Sequence, residues 1–162
     1  KEKFPDKKMV QSEACIEYRH FDPSDFLSNA QKYAHDIIGD LNGGMTGFYD
    51  WNLVLDQQGG PNHVENFCDA PFLYNLETGE LEERASYSYI GHFSKFIKEG
   101  ARRIGFSRYT QDIQVTAFEN PNGDIVAVFL NTQKKSVPVA IRVQGAVSHI
   151  ELPAESITTL TL

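Results

Sequence analysis

Glu13 closes a short mixed run, Met9 to Glu13, that follows the charged Asp6-Lys7-Lys8 and reads as a strand. A carboxylate at the C-terminal end of such a strand stands where barrel-type βα units put reacting groups, and it can attack as a nucleophile or move a proton. Near it the sequence supplies aromatic faces in Tyr18, Phe48, Tyr49 and Trp51, and neutral amides in Asn52, Gln57, Gln58, Asn62 and Asn66. That mixture can stack on a sugar ring and hydrogen-bond its hydroxyls. A plainer account uses the same residues: Glu13 caps a helix or pairs with an Arg, the aromatics fill a core and the amides form turns. Asp50 is open in the same way, between orienting neighbouring groups and capping backbone amides.

Other chemistries find less support. Five histidines, His20, His35, His63, His92 and His149, lack ligand-like spacing, and the two cysteines, Cys15 and Cys68, form no CxxC pair. No metal or cofactor is therefore expected. A net charge of −7 and a pI near 5.2 argue against a nucleic-acid partner, which would be held by clustered Lys and Arg. No apolar run approaches the roughly 20 residues that span a bilayer, so no transmembrane segment is expected. The start at Lys1-Glu2-Lys3-Phe4-Pro5 reads as the interior of a longer protein, with any export signal upstream and the compartment open.

The elements that must position these residues follow from periodicity. Asp22-Pro23-Ser24-Asp25 sets a capping residue before a Pro at the first helical position. Phe26, Leu27, Ala30, Tyr33, Ala34, Ile37, Ile38 and Leu41 then recur as one buried helical stripe, ended by Asn42-Gly43-Gly44. Met45 to Leu55 reads as a strand before the turn-rich Asp56 to Asn62. Strand, helix, strand in that order is a βαβ unit with parallel strands, which brings Glu13 and Trp51 to the same end. A short strand at Pro71 to Tyr74, a turn at Asn75 to Gly79 and a second helix marked by Tyr89, Ile90, Phe93, Phe96 and Ile97 follow, ending near Gly100. Beyond Arg102 six β-rich runs, Arg103 to Tyr109, Ile113 to Glu119, Ile125 to Asn131, Val137 to Val143, Val147 to Leu152 and Ile157 to Leu162, predict a small antiparallel sandwich. The expected division is residues 1–100 and 101–162.

Longer motifs carry a resemblance. Gln11-Ser12-Glu13-Ala14-Cys15 and Tyr33-Ala34-His35-Asp36-Ile37-Ile38 are similar to the family 30 glycoside hydrolases. The run from Gly47 through Trp51-Asn52 to Gly59-Gly60-Pro61-Asn62, then Asn66-Phe67, Asp69-Ala70-Pro71 and Tyr89 to Ile97, resembles the glucosylceramidase branch in order and spacing. The resemblance implies the C-terminal βα units of a (β/α)8 TIM barrel (α/β) joined to an all-β sandwich domain. It also implies a retaining β-glycosidase, hydrolysing β-glucosides such as glucosylceramide by double displacement. Glu13 matches the nucleophile, Trp51 the residue that contacts the glucosyl unit, Asn66 a loop residue at the pocket rim and Cys15 a thiol lining the pocket.

In retaining enzymes a second, protonated carboxyl stands roughly 5–5.5 Å from the nucleophile. In this family that acid/base lies on the fourth barrel strand, so the resemblance puts it upstream of residue 1, in the N-terminal portion of the same barrel. The chain alone is then expected to be inactive. Trp51 also fits a barrel-end core position, and Cys15 a small buried hydrophobe. His63 stands where some relatives have Trp, which bears on the leaving-group side. Two other readings remain: a carbohydrate-binding sandwich module, and a relative that cleaves β-1,6-glucan or xylan.

Overall fold

The computed structural model describes residues 3–162. Its first element, β1 (Val10–Ala14), is joined to β2 (Gly47–Asp50) through the helix α1 (Phe26–Asn42), and β1 and β2 are parallel, as the strand-helix-strand order predicts. The apolar stripe drives the docking of α1: Ala30, Tyr33, Ala34, Ile37 and Ile38 are all buried. Each such side chain taken out of water contributes on the order of 1.5–3 kcal/mol for the larger residues. Gly43 closes the helix, its N–H donating to Gly39 O at 2.8 Å.

The start of α1 differs from the expected one. Asp25 is the N-cap, accepting from Ser28 N at 3.1 Å. Asp22 instead accepts from the backbone N and the hydroxyl of Ser24, at 2.8 and 2.7 Å, and so closes a turn ahead of the helix. Its carboxylate is engaged locally and cannot also reach the first free amides of the helix.

The segment expected as one strand from Met45 to Leu55 is two. β2 ends at Asp50, the chain bends through Trp51, Asn52 and Leu53, and β3 (Val54–Asp56) enters a different sheet. There it pairs in parallel with β4 (Phe72–Tyr74), which pairs antiparallel with β5 (Leu81–Glu83). Leu55 and Leu73 are partners on the buried face of this sheet. β5 is exposed throughout and carries no alternation, so no pattern announces it. The second helix, α2 (Ala85–Ser94), begins before Tyr89; Ile97 N still donates to Phe93 O at 3.0 Å past its end.

Two compact units result, Lys1–Gly91 and His92–Leu162. In the second, an antiparallel sheet runs in the order β11 (Ser156–Thr161), β8 (Ile125–Asn131), β7 (Gln114–Glu119), β6 (Arg102–Arg103). A hairpin of β9 (Val137–Val143) and β10 (Ala146–Leu152) turns through Gln144 and Gly145, both at positive φ (49° and 87°), as a two-residue hairpin loop requires. Val137, Val139, Ile141, Ile150 and Leu152 of the hairpin meet Ala117, Ala127, Phe129 and Leu160 of the sheet, and this is the core of a sandwich. Of the run Arg103 to Tyr109, only Arg103 lies in a strand; Tyr109 is fully exposed and has no core to face.

Candidate active site

The register of β1 against β2 is irregular at one place. Val10 and Gln11 face Gly47 and Phe48, but Ala14 faces Asp50, so Ser12 and Glu13 together oppose the single residue Tyr49. Such a bulge bends a strand and re-aims the side chains on it. Here it falls on Glu13, which is exposed at the C-terminal end of a parallel strand. Just beyond, Trp51 N donates to Ala14 O at 2.8 Å and brings the end of β2 against the end of β1.

Asp50 holds that junction from below. Its Oδ1 accepts from Trp51 N at 2.9 Å and from the Tyr33 hydroxyl of α1 at 3.1 Å. Burial lifts its carboxyl to about 6, although both hydrogen bonds pull the other way. Burial, with Asp50 alongside, likewise pushes the Tyr33 hydroxyl far above its ordinary value. The side chain of Trp51 is half-buried against Leu55, Cys68, Ala70 and Leu73, and Cys15 packs on the same cluster.

Asn66 belongs to a loop folded over itself. Asp56 Oδ1 accepts from Gln58 N and Gly60 N, each at 2.9 Å, and Asn62 Oδ1 accepts from Val64 N and Asn66 N. Glu65 sits at φ 60°, a left-handed conformation costing a non-glycine residue of order 1 kcal/mol or more. Asn66 Oδ1 and Asn62 Nδ2 are buried and meet no hydrogen-bond partner among the described residues. Gly59 allows the loop to close: at φ 87°, a β-carbon there would lie 2.4 Å from Cys68 O and 2.7 Å from the Tyr18 ring.

A buried ion pair that the sequence gives no sign of anchors the far end of this loop. Asp69 accepts from Arg84 Nε at 3.2 Å and from the Tyr18 hydroxyl at 3.1 Å. Arg84 also pairs with Glu82 at 2.8 Å, donates to Pro23 O at 2.9 Å and stacks 3.4 Å over the Phe26 ring. Desolvation still leaves the Asp69 carboxyl above its ordinary value, because burial outweighs Arg84. These partners lie far apart in sequence and share no periodicity.

Glu13, Cys15 and Trp51 are thus brought together by the paired strand ends, and Asn66 is tied in through Cys68, whose thiol donates to Asn66 O at 3.1 Å. A shallow cavity of about 220 Å³ lies elsewhere, between α1 and the two strands; it is lined by Gln11, Ala14, His35, Asp36, Gly39, Asp40 and Phe48 and includes none of the candidate residues. Among the described residues no group of three or more His, Cys, Asp or Glu could hold a metal ion, and no helix is long and apolar enough to cross a membrane.

Parallel strands with an exposed carboxylate near the C-terminal end of one of them, followed by an antiparallel sandwich, make a βα portion of barrel type joined to an all-β domain. The comparisons agree: residues 1–97 match the glycosyl hydrolase family 30 TIM-barrel domain and residues 100–160 the family 30 beta sandwich domain, and the chain belongs to that family. It is 35% identical over 142 residues to the lysosomal acid glucosylceramidase of Mus musculus, covering 85% of this chain and 28% of the mouse protein. The crystal structure of SrfJ from Salmonella typhimurium superposes with a TM-score of 0.92 at 33% identity, covering 99% of this chain and 36% of that one. The endo-beta1,6-glucanase BT3312 superposes at 0.84 and 25% identity, again over 99% of this chain and 36% of its own. The chain therefore spans about a third or less of these relatives.

Proposed function

We propose that the chain forms the nucleophile side of a retaining β-glycosidase that hydrolyses β-glucosides, glucosylceramide or a related glycolipid among them. The reading rests chiefly on one observation, the Trp51 N to Ala14 O hydrogen bond that holds the residue after β2 against the end of β1, next in sequence to Glu13. In it, Glu13 attacks the anomeric carbon and forms a glycosyl ester, which water then hydrolyses. Trp51 packs on the sugar face, Asn66 bonds hydroxyls at the rim, and Cys15 lines the pocket without reacting. Burial raises its thiol pKa and leaves little thiolate.

Residues 1–100 are assigned to the barrel portion and 101–162 to the sandwich. The general acid/base is assigned to an N-terminal portion of the same barrel, supported by the small share of the relatives that the chain spans. The isolated chain is then inactive, since two parallel strands cannot close a barrel. The test uses the longer enzyme. Glu13→Gly should lower kcat by about 10³-fold or more, and added azide should restore turnover with an α-glucosyl azide as product. Full activity in that variant, or loss without azide rescue, speaks against Glu13 as nucleophile. Among substrates, faster cleavage of β-1,6-glucan than of β-glucosides would favour the activity named for BT3312.

A further inference from the structure

Trp51 is placed by its backbone as well as by its ring. Its N–H is shared between two acceptors, Ala14 O at 2.8 Å and Asp50 Oδ1 at 2.9 Å. The same Oδ1 accepts from the Tyr33 hydroxyl at 3.1 Å, and Tyr33 is wholly buried in the stripe of α1. A continuous set of hydrogen bonds thus runs from the helix, through Asp50 and Trp51, to the residue that follows Glu13. The other oxygen, Asp50 Oδ2, is buried and meets no partner among the described residues, so the carboxyl acts through Oδ1 alone.

The direction of the Asp50 side chain decides what it can do. Along a strand, residues i and i+2 share a face. Phe48 lines the cavity beside α1 and Asp50 reaches the Tyr33 hydroxyl, so both are turned to the helix while Tyr49 between them is turned away. Asp50 is therefore spent on the helix and on Trp51 N, and is not free to attack or protonate a glycoside. It can hold a neighbour in place. The Trp51 ring packs on Leu55, Cys68, Ala70 and Leu73, but apolar contact is non-directional. The angle at which the chain leaves β2 is set by the hydrogen bonds, which are directional.

We propose that Asp50, braced by Tyr33, is a positioning residue of the glycosidase: it sets Trp51 for contact with the glucosyl unit and touches no substrate itself. The inference rests on the proposed role of Trp51 and adds two residues to it. Neither is chemically needed for the double displacement, so their effect must pass through Trp51.

The test is a double-mutant cycle in the longer enzyme, read as KM and kcat for an aryl β-glucoside, with folding checked by thermal unfolding. Asp50→Ala should raise KM by roughly 10-fold or more, the scale of a lost hydrogen bond to a charged group, with a smaller change in kcat. Tyr33→Phe should raise it by roughly 3-fold, the scale of one hydrogen bond. Asp50→Asn keeps an acceptor oxygen at the Oδ1 position and should stay within about 3-fold of the parent. In a Trp51→Ala background, Asp50→Ala and Tyr33→Phe should each add less than about 2-fold, because coupled residues lose their effect together. Tyr33→Phe, which removes a single hydroxyl, decides the matter if Asp50→Ala does not fold. An unchanged KM in Asp50→Ala or in Tyr33→Phe, or a loss in Asp50→Asn equal to that in Asp50→Ala, would overturn the proposal. So would full additivity with an impaired Trp51→Ala, which leaves the role of Trp51 standing. A Trp51→Ala variant with the parent's KM would instead overturn the glucosyl contact and this proposal together.

Discussion

Asp50 and Asp69 show how burial sets the behaviour of single side chains in the barrel portion. The folded chain holds the Asp50 proton up to about pH 6, while an unfolded Asp releases it near about 4. Between those values the folded state binds more protons, so this residue makes stability fall as pH rises through that window. Asp69 and Asp36, also raised, act with the same sign. Urea unfolding of Asp50→Asn, set against the parent chain at pH 5 and pH 7, should show a smaller difference between the two midpoints; an unchanged difference would contradict the assignment. For Asp69 the sign is simpler. Asp69→Ala strips a buried guanidinium of its buried partner, at a cost of roughly 3–5 kcal/mol, tempered by the remaining bonds of Arg84 to Glu82 and Pro23. A loss below about 1 kcal/mol in the same urea experiment would place the pair among weakly coupled surface bridges. Glu13 was legible as a candidate because residue type and strand position narrow it, whereas Trp51 and Asn66 stood out from the other aromatics and amides only through the resemblance. Asp69 and Arg84 were not legible, since nothing in sequence tells a buried ion pair from two solvated charges.

At the scale of elements, the helix was easiest to read and the strands hardest. The stripe from Phe26 to Leu41 repeats over several turns, so small local ambiguities cancel, and the departures fall in the first turn, where the cap moves from Asp22 to Asp25 and Phe26 and Leu27, expected in the buried stripe, are exposed. The correction is measurable. Asp25→Ala should cost about 1 kcal/mol, the usual worth of an N-cap, whereas Asp22→Ala should cost less, because its bonds close a turn outside the helix. Equal losses would restore Asp22 as the cap. Strands offered less because pairing is a property of partners: β2 and β3 are continuous in apolar character, yet they leave for different sheets at the bend through Trp51. That bend is what puts Trp51 against the end of β1, and no local propensity announces it. The loop carrying Asn66 depends on Gly59 in the same non-local way. Gly59→Ala should destabilise the barrel portion by at least about 1–3 kcal/mol through its positive φ alone, and more through the clash with Cys68 O. Unchanged stability would show that the loop can re-route.

For the whole molecule, the order of elements sufficed to expect parallel strands followed by a sandwich, and both are present. The sandwich was visible because its strands are short, evenly spaced and separated by turn residues such as Asn120-Pro121-Asn122-Gly123, and the βαβ unit because its helix is unambiguous. What sequence could not supply was the bulge at Glu13, which arises only when β1 and β2 are set in register. The central claim is that Glu13 becomes covalently glycosylated during turnover. Treating the longer enzyme with a 2-deoxy-2-fluoro-β-glucoside that has a good leaving group, then digesting it and sequencing the labelled peptide by mass spectrometry, tests this directly. The account predicts a fluoroglucosyl ester on the peptide containing Gln11-Ser12-Glu13-Ala14-Cys15, localised to Glu13. An ester on any other carboxylate, or an active enzyme that accumulates no ester, would contradict it.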